Sequence, residues 1–366
     1  MIREFKSPAH YIQGKDATTE SIDEIKALGE RVLLLADDNV WEIIGETFAE
    51  AMKEAEIDVY REPFNGEAST SEINRVVEIG KEEGSEIVIG LGGGKAIDSS
   101  KAIADDLGIP VVVVPTIAST DAPTSSLSVI YSDEGVFEGY RFYDKNPDLV
   151  IVDTKVISKA PVNFLASGIA DAAATYVEAR ATQRTKSKTM IDGYPTIAGM
   201  AIATACRDTI FKYGKQALAS VEAQVVTPAL EAVVEANTLL SGLGFESGGL
   251  AGAHAIHNGF TAVDGPIHDK SHGEKVAYGI LVQLYLENAE PNEMDKYIQF
   301  FQDIKMPTTM EELSLAETSD EDLLSIGELT LDEDETIHNM AGDFTPDDIV
   351  DAIKAVDAYV KSNFPQ

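Results

Sequence analysis

Cysteine is almost missing from this chain: Cys206 is the only one among 366 residues, so no intrachain disulfide can form. That usage fits a reducing compartment. Cys206 lies in the apolar stretch "AGMAIATACRDTI", where it reads as a core residue of a helix. Long apolar runs are missing too, and none approaches the ~18 residues of a membrane span. The opening "MIREFKSPAHYIQGKD" contains no apolar signal segment, so the expected location is the cytoplasm. Basic residues are scarce: 28 Lys and Arg stand against 63 Asp and Glu, for a formal net charge of −35. Such a surface repels nucleic acid and anionic membranes, and both are set aside as partners. The acidic coat suits plain solubility or a saline setting, and the excess of lysine over arginine argues against a strongly halophilic origin.

What is present in the first half is an alternation of strands and helices. "RVLLLADD", "IDVYREPF", "SEIVIGL", "IPVVVVPT" and "NPDLVIVDT" read as strands. "VWEIIGETFAEAMKEAE", "STSEINRVVEIGKEEG" and "KAIDSSKAIADDLG" read as helices between them. That order predicts a parallel sheet with helices on both faces. Beyond about residue 160 the segments are Ala-rich and helical, ending in a helix with Thr345 as cap, Pro346 at its first position and Asp348 at its third. Two domains follow: an α/β domain over residues 1–160 and a helical domain over 161–366.

Ligands of open α/β sheets bind at the carboxyl ends of the strands, and three such ends carry chemistry. Asp37 ends the first clear strand; it is either a solvated turn aspartate or an acceptor for both hydroxyls of an adenine ribose, which would favour NAD over NADP. "GLGGGKAID" (90–98) places glycines between a strand and a helix, where backbone can approach a pyrophosphate. It fits neither the G-x-G-x-x-G fingerprint nor the P-loop, because Lys95 holds the place of the last Gly and Ala96 follows that Lys. "PTIASTDAPTSS" (115–126) is dense in hydroxyls suited to ribose and phosphate, and Asp121 within it could hold a substrate hydroxyl.

Four of the six histidines fall in "AGAHAIHNGFTAVDGPIHDKSHGEK": His254, His257, His268 and His272. Several converging imidazoles with a carboxylate suit a catalytic zinc. Spacing does not name the carboxylate. Asp171 in "GIADAAATYVEA" is attractive, since an aspartate in an Ala-rich helix is costly unless paired or bound.

"GGGKAIDSSKA", "PTIASTDAPTSSLSVIY", "GIADAAATYVEAR", "VVTPALEAVVEANTLLSGLGFESGGLAGAHAIHNG" and "HGEKVAYG" closely resemble the glycerol dehydrogenase family of the iron-containing alcohol dehydrogenase superfamily. The resemblance runs nearly end to end. It implies a Rossmann-like NAD-binding α/β domain, an all-α domain, a dehydroquinate synthase-like architecture and a site in the cleft between the two. It implies oxidation of glycerol to dihydroxyacetone, NAD and zinc as cofactors, and a homo-oligomer, octamers being common in the family. By the same resemblance Asp37 meets the adenine ribose. Gly94, Lys95, Ala96, Ile97 and Asp98, with Thr116, Ile117, Ala118 and Ser119, surround the phosphates. Ser125, Leu127 and Tyr131 lie nearer the nicotinamide, Asp121 contacts glycerol, and Asp171, His254 and His272 hold the zinc. The loop before His272 is a residue longer than in many relatives, which makes His268 a rival ligand. Iron-using relatives carry a histidine at the position of Thr175, and its loss favours zinc. No general base is assigned; His257, a ribose hydroxyl and a water relay stay open. The rival activities on this fold, a dehydroquinate synthase-like lyase and a glycerol-phosphate dehydrogenase, require cations for a phosphorylated substrate. None lies in 116–131, and 248–272 offers only Lys270. A binding or scaffold protein without catalysis is the third alternative.

Overall fold

In the computed structural model, which describes residues 1–365, the first half of the chain builds a six-stranded parallel sheet. Its strands are β1 (Tyr11–Gly14), β2 (Arg31–Ala36), β3 (Asp58–Pro63), β4 (Ile87–Gly92), β5 (Val111–Pro115) and β8 (Leu149–Asp153), in the order β1-β8-β5-β4-β2-β3. The central strands are unbroken apolar runs because both faces are covered. Val32, Leu34, Ile87, Ile89 and Val112 pack on one face with Phe48 and Met52, while Leu33, Leu35, Val88 and Val113 on the other are equally buried. The α/β class expected from the alternation is the one observed.

Two elements were not foreseen. β1 is a four-residue edge strand, half-buried throughout and without an apolar run. β6 (Leu127–Tyr131) and β7 (Phe137–Phe142) form an antiparallel hairpin outside the sheet. Its turn is closed by Gly135, whose φ of +83° only glycine adopts readily.

The second half is helical among the described residues, apart from an isolated bridge between Arg3 and Tyr194. Its long helices include Val162–Thr185, Ile197–Glu222, His272–Leu286 and Pro346–Asn363. The last has the full capping box expected of it: Thr345 accepts from the Asp348 backbone, and Asp348 accepts from the Thr345 backbone. Cys206 is fully buried, as a core residue should be. No helix among the described residues is long and apolar enough to cross a membrane.

The chain folds into two compact units. One comprises Met1–Phe5, Asn163–Leu218 and the chain from Leu243 on; the other comprises Lys6–Val162 with Ala219–Gly242. The expected division into 1–160 and 161–366 therefore needs a correction: residues 219–242 pack with the sheet. The reason is polar as much as apolar. Gln13 Nε2 donates to the Glu231 carbonyl at 2.9 Å and to its carboxylate at 2.8 Å. The Tyr11 and Thr238 hydroxyls are 2.8 Å apart. Thr124 donates to the Thr238 carbonyl at 2.9 Å, and Asn237 Nδ2 donates to the Ala118 carbonyl at 3.0 Å. Asn237 and Thr238 sit in a wide i→i+5 turn (Ala236–Leu240), a form of helix often found at functional sites.

Candidate active site

Helix Val162–Thr185 carries small residues, Ala, Gly or Ser, at most of its buried positions, so neighbouring helices approach it closely. Asp171 is 1% exposed in this setting. Two imidazoles reach the same carboxylate oxygen: His272 Nε2 lies 3.1 Å from Asp171 Oδ1, and His254 Nε2 lies 3.3 Å from it. The other oxygen, Oδ2, is buried and has no protein partner. The three donor atoms lie within 4.8 Å of one another, the spacing of ligands around one ion.

Each imidazole is delivered by a distinct local device. His272 is the first residue of helix His272–Leu286, whose start is fixed by a Ser271–Glu274 capping box. Gly273 makes the approach possible, because a Cβ there would lie 2.0 Å from the Ser167 carbonyl oxygen; its N–H instead donates to Ser167 Oγ at 3.1 Å. His254 lies in the short helix Gly252–Gly259, and its Nδ1 lies 2.6 Å from Glu178 Oε2. Glu178 is fully buried and was missed by the sequence reading, since a glutamate in a helix ordinarily marks the solvent face. The available signal was its spacing: seven residues after Asp171 returns to the same helix face.

The electrostatics follow from this crowding. Burial opposes a charge on His254, yet the carboxylates of Glu178 and Asp171 raise its pKa well above the ordinary value. Burial would likewise raise Asp171, but His272 and His254 outweigh it and hold the carboxyl below its usual range. His257 goes the other way: burial first, then the neighbouring His272 and Lys275, push it well below the ordinary value. Its ring lies 4.4 Å from that of His272, and its Nδ1 faces Asn258 Oδ1 at 3.0 Å.

Two further residues bear on the ligand set. His268 sits in a separate turn, Pro266–Asp269, with Nε2 2.8 Å from the Val263 carbonyl oxygen, and is not part of the cluster. Thr175 is buried with its methyl against the Ser241–Gly248 helix: a Cβ on Gly244 would lie 2.4 Å from it. That position contributes packing where a fourth imidazole would need room.

In the α/β unit, the three expected strand ends come together because β2, β4 and β5 are neighbours. Asp37 follows β2, half-buried, and its Oδ1 accepts the Val40 N–H at 2.8 Å, so it also caps a helix. Gly93 follows β4 and caps helix Gly94–Leu107, whose first turn is Gly94, Lys95, Ala96 and Ile97. Thr116 follows β5 and leads through Ile117 and Ala118 to Ser119 and Asp121. Lys95 is paired with Glu67 and lies 5.4 Å from the centre of the Tyr131 ring. Asp98 is buried and committed within the protein: its carboxylate pairs with Lys101 at 2.8 Å and accepts the Val129 N–H at 3.1 Å. Its side chain is thus a brace for the loop and hairpin, and its carbonyl is taken as well, by the Ser128 hydroxyl at 2.8 Å. Lys101 in turn donates to the carbonyls of Ala122 and Leu127 and to Ser125 Oγ. Asp121 is held by Ser241, whose hydroxyl donates to Oδ2 at 3.1 Å.

Comparison with known proteins sets this geometry in context. The model of the family "iron-containing alcohol dehydrogenase" matches residues 8–154. The chain is 47% identical to glycerol dehydrogenase 1 of Schizosaccharomyces pombe over 98% of its own length and 79% of that protein's. It is 46% identical to the glycolaldehyde reductase of Halobacterium salinarum over 96% of each. A crystal structure of the glycerol dehydrogenase from Schizosaccharomyces pombe superimposes with a TM-score of 0.95 at 46% identity, covering 98% of this chain and 91% of that one.

Proposed function

Because the chain belongs to the iron-containing alcohol dehydrogenase family, we propose that it is an NAD-dependent, zinc-assisted glycerol dehydrogenase, reversibly oxidising glycerol to dihydroxyacetone and accepting other vicinal diols. The observation that carries this reading is the convergence of Asp171, His254 and His272, donor atoms within 4.8 Å, with one buried carboxylate oxygen left over. One carboxylate and two imidazole Nε2 atoms fit a divalent cation of borderline softness, and three protein ligands leave a coordination place for substrate. Thr175 at the fourth position favours zinc over iron. When bound, zinc supplies Lewis-acid polarisation of an alcohol oxygen and NAD supplies the hydride acceptor.

The chain's own residues do the rest. Asp171 and the two imidazoles fix the place and charge at which an alcohol oxygen is held. Asp121, oriented by Ser241, accepts a hydrogen bond from a glycerol hydroxyl and thereby selects a polyol over a simple alcohol. The first turn of Gly94–Leu107 offers its free N–H groups to the pyrophosphate, and the hydroxyls of Thr116 and Ser119 complete that cradle. Ser125, Leu127 and Tyr131 border the nicotinamide in this reading, and the acidic Asp37 repels a 2′-phosphate, favouring NAD. The protein works as a cytoplasmic homo-oligomer with a small polyol as its partner.

Glycolaldehyde reduction is the second reading, favoured by the identity to the Halobacterium salinarum protein. Phosphorylated substrates are disfavoured, since Lys270 is engaged by Glu274 at 3.8 Å. A steady-state panel with zinc present decides among them: glycerol, 1,2-propanediol and glycerol phosphate with NAD, and glycolaldehyde with NADH. Higher kcat/KM for glycolaldehyde than for glycerol and dihydroxyacetone would replace the proposed substrate; no NADH formed from any diol would remove the reading.

A further inference from the structure

The proposed ligand set accounts for Asp171, His254 and His272 but not for Glu178, the other fully buried carboxylate that faces His254. Asp171 and Glu178 are seven residues apart on one helix, about 10 Å along its axis and on one face. The His254 ring lies between them, with Nε2 toward Asp171 at 3.3 Å and Nδ1 against Glu178 at 2.6 Å. Glu178 has a second task. Helix Gly252–Gly259 starts at Ala251 with no capping side chain of its own. Its free N–H groups are met from elsewhere: Ala251 and His254 donate to Glu178 Oε1, both at 2.9 Å, and Ala253 donates to Gln283 Oε1 at 2.8 Å.

We propose that Glu178 is the positioning residue of the metal site: one carboxylate caps the helix that carries His254 and accepts the Nδ1–H hydrogen bond, leaving Nε2, on the side of Asp171, free of a proton as the ligand atom. Three observations support it together. All three donors on Glu178 come from the His254 segment, so the carboxylate has no other employment. Its burial is complete, and Arg180, the nearby cation on the same helix, is engaged by Glu287 and Glu293 instead. Finally, an imidazole that binds a metal through one nitrogen needs the proton on the other, and a carboxylate acceptor fixes that tautomer and raises ligand basicity. Glu178 also alters the charge balance: with Asp171 it supplies two negative charges, enough to neutralise a divalent cation within a buried site. The inference rests on the metal reading above and adds to it the residue that makes His254 a competent ligand.

Glu178→Gln separates the two tasks. The amide oxygen still accepts the two backbone N–H groups, so the cap survives. The amide NH2 faces Nδ1 as a donor and favours the tautomer with the proton on Nε2, which blocks the ligand atom. The expected result, by zinc competition against a chromophoric chelator in the full-length protein, is roughly 10–100-fold weaker binding, with NADH affinity unchanged. Gln283→Leu is the control for a cap without metal function: it should lower Tm and leave zinc affinity within about twofold of wild type. Wild-type zinc affinity in a folded Glu178→Gln protein would overturn the proposal and leave the metal reading standing. No zinc bound by the wild-type protein would overturn both. Should Glu178→Gln fail to fold, the zinc-loaded wild-type crystal structure decides: Nε2 of His254 on the metal with Nδ1 at hydrogen-bond distance from Glu178 supports the proposal, and a reversed ring overturns it.

Discussion

The helical unit and the α/β unit build their sites from different materials. In the helical unit every proposed ligand atom is a side-chain atom, on Asp171, His254 or His272, and each is aimed by another side chain or a cap. In the α/β unit the proposed phosphate site is mainly backbone, the N-terminal turn of Gly94–Leu107 after a strand. A side-chain site depends on residue identity and so is brittle to substitution. A backbone site depends on conformation and tolerates many side chains, provided the turn is held.

The strongest way to sharpen that contrast is to remove a ligand. His272→Ala is expected to lose bound zinc and bring turnover to assay background, while NADH still binds; metal analysis and NADH fluorescence check both. His268→Ala is the counterpart, expected to keep zinc and activity because its imidazole serves the Val263 carbonyl. Zinc kept in the first and lost in the second would redraw the ligand set.

The contrast can also be broken, because one side chain in the α/β unit carries much of the loop. Lys101 is buried, paired with Asp98 and bound to the loop carbonyl of Ala122 and to that of Leu127, the first residue of β6. Lys101→Met strands a buried carboxylate, a change of about 3–5 kcal/mol in similar cases. The expected outcome is a Tm several degrees lower and weaker NAD binding; unchanged NAD affinity would show that the loop holds its shape without Lys101.

A smaller effect is expected at Asp37. Asp37→Ser keeps a good helix cap but removes the charge that would face a 2′-phosphate. A repulsion of ~1–2 kcal/mol between partly exposed charges corresponds to roughly tenfold in relative NADP use. An unaltered ratio of NAD to NADP kcat/KM would take Asp37 out of cofactor selection.

The smallest effect concerns acid stability of the α/β unit. Glu72 is partly shielded by burial, which alone would raise its pKa, but bonds from Arg75 and Asn65 win and lower it below 4.5. A carboxylate depressed in the folded state stabilises above its unfolded pKa, and that contribution is lost as pH falls through the folded value. Glu72→Gln should therefore lower stability modestly at neutral pH and flatten the loss of stability below about pH 4.5. Parallel acid-denaturation curves for the two proteins would contradict this.

How much of this was legible in the sequence depended on whether a residue type was costly where it stood. β2, β4, β5 and β8 were readable because both faces of the sheet are covered and the positions between their ends had to be free of charge. β1 was not, because an edge strand with half-buried Tyr11 and Gln13 is fixed by its partners, β8 and Glu231, both distant in sequence. In the hairpin the alternating exposure of Phe137–Phe142 was present as a period of two and passed unread. His254 and Asp171 stood out as rare polar residues among small apolar ones, and His272 as one of four histidines within a single short segment. Glu178 and Lys101 did not, because both belong to types usual on helix surfaces, and only tertiary packing turns them inward.

The return of residues 219–242 to the sheet has a consequence for how the polypeptide matures. Gln13, Thr124 and the carbonyl of Ala118 find partners only after more than a hundred further residues have been made, among them Asn163–Leu218 of the other unit. A nascent chain ending near residue 162 would expose those polar groups and the apolar surface beneath them. Contacts of such long sequence separation form slowly, because loop closure precedes any gain from them. During synthesis the α/β half therefore waits, incomplete, for a piece of its own structure that emerges inside the helical half. Fragments cut at the apparent domain boundary should be chaperone-dependent or aggregate, whereas a fragment joined to 219–242 by a short linker should fold.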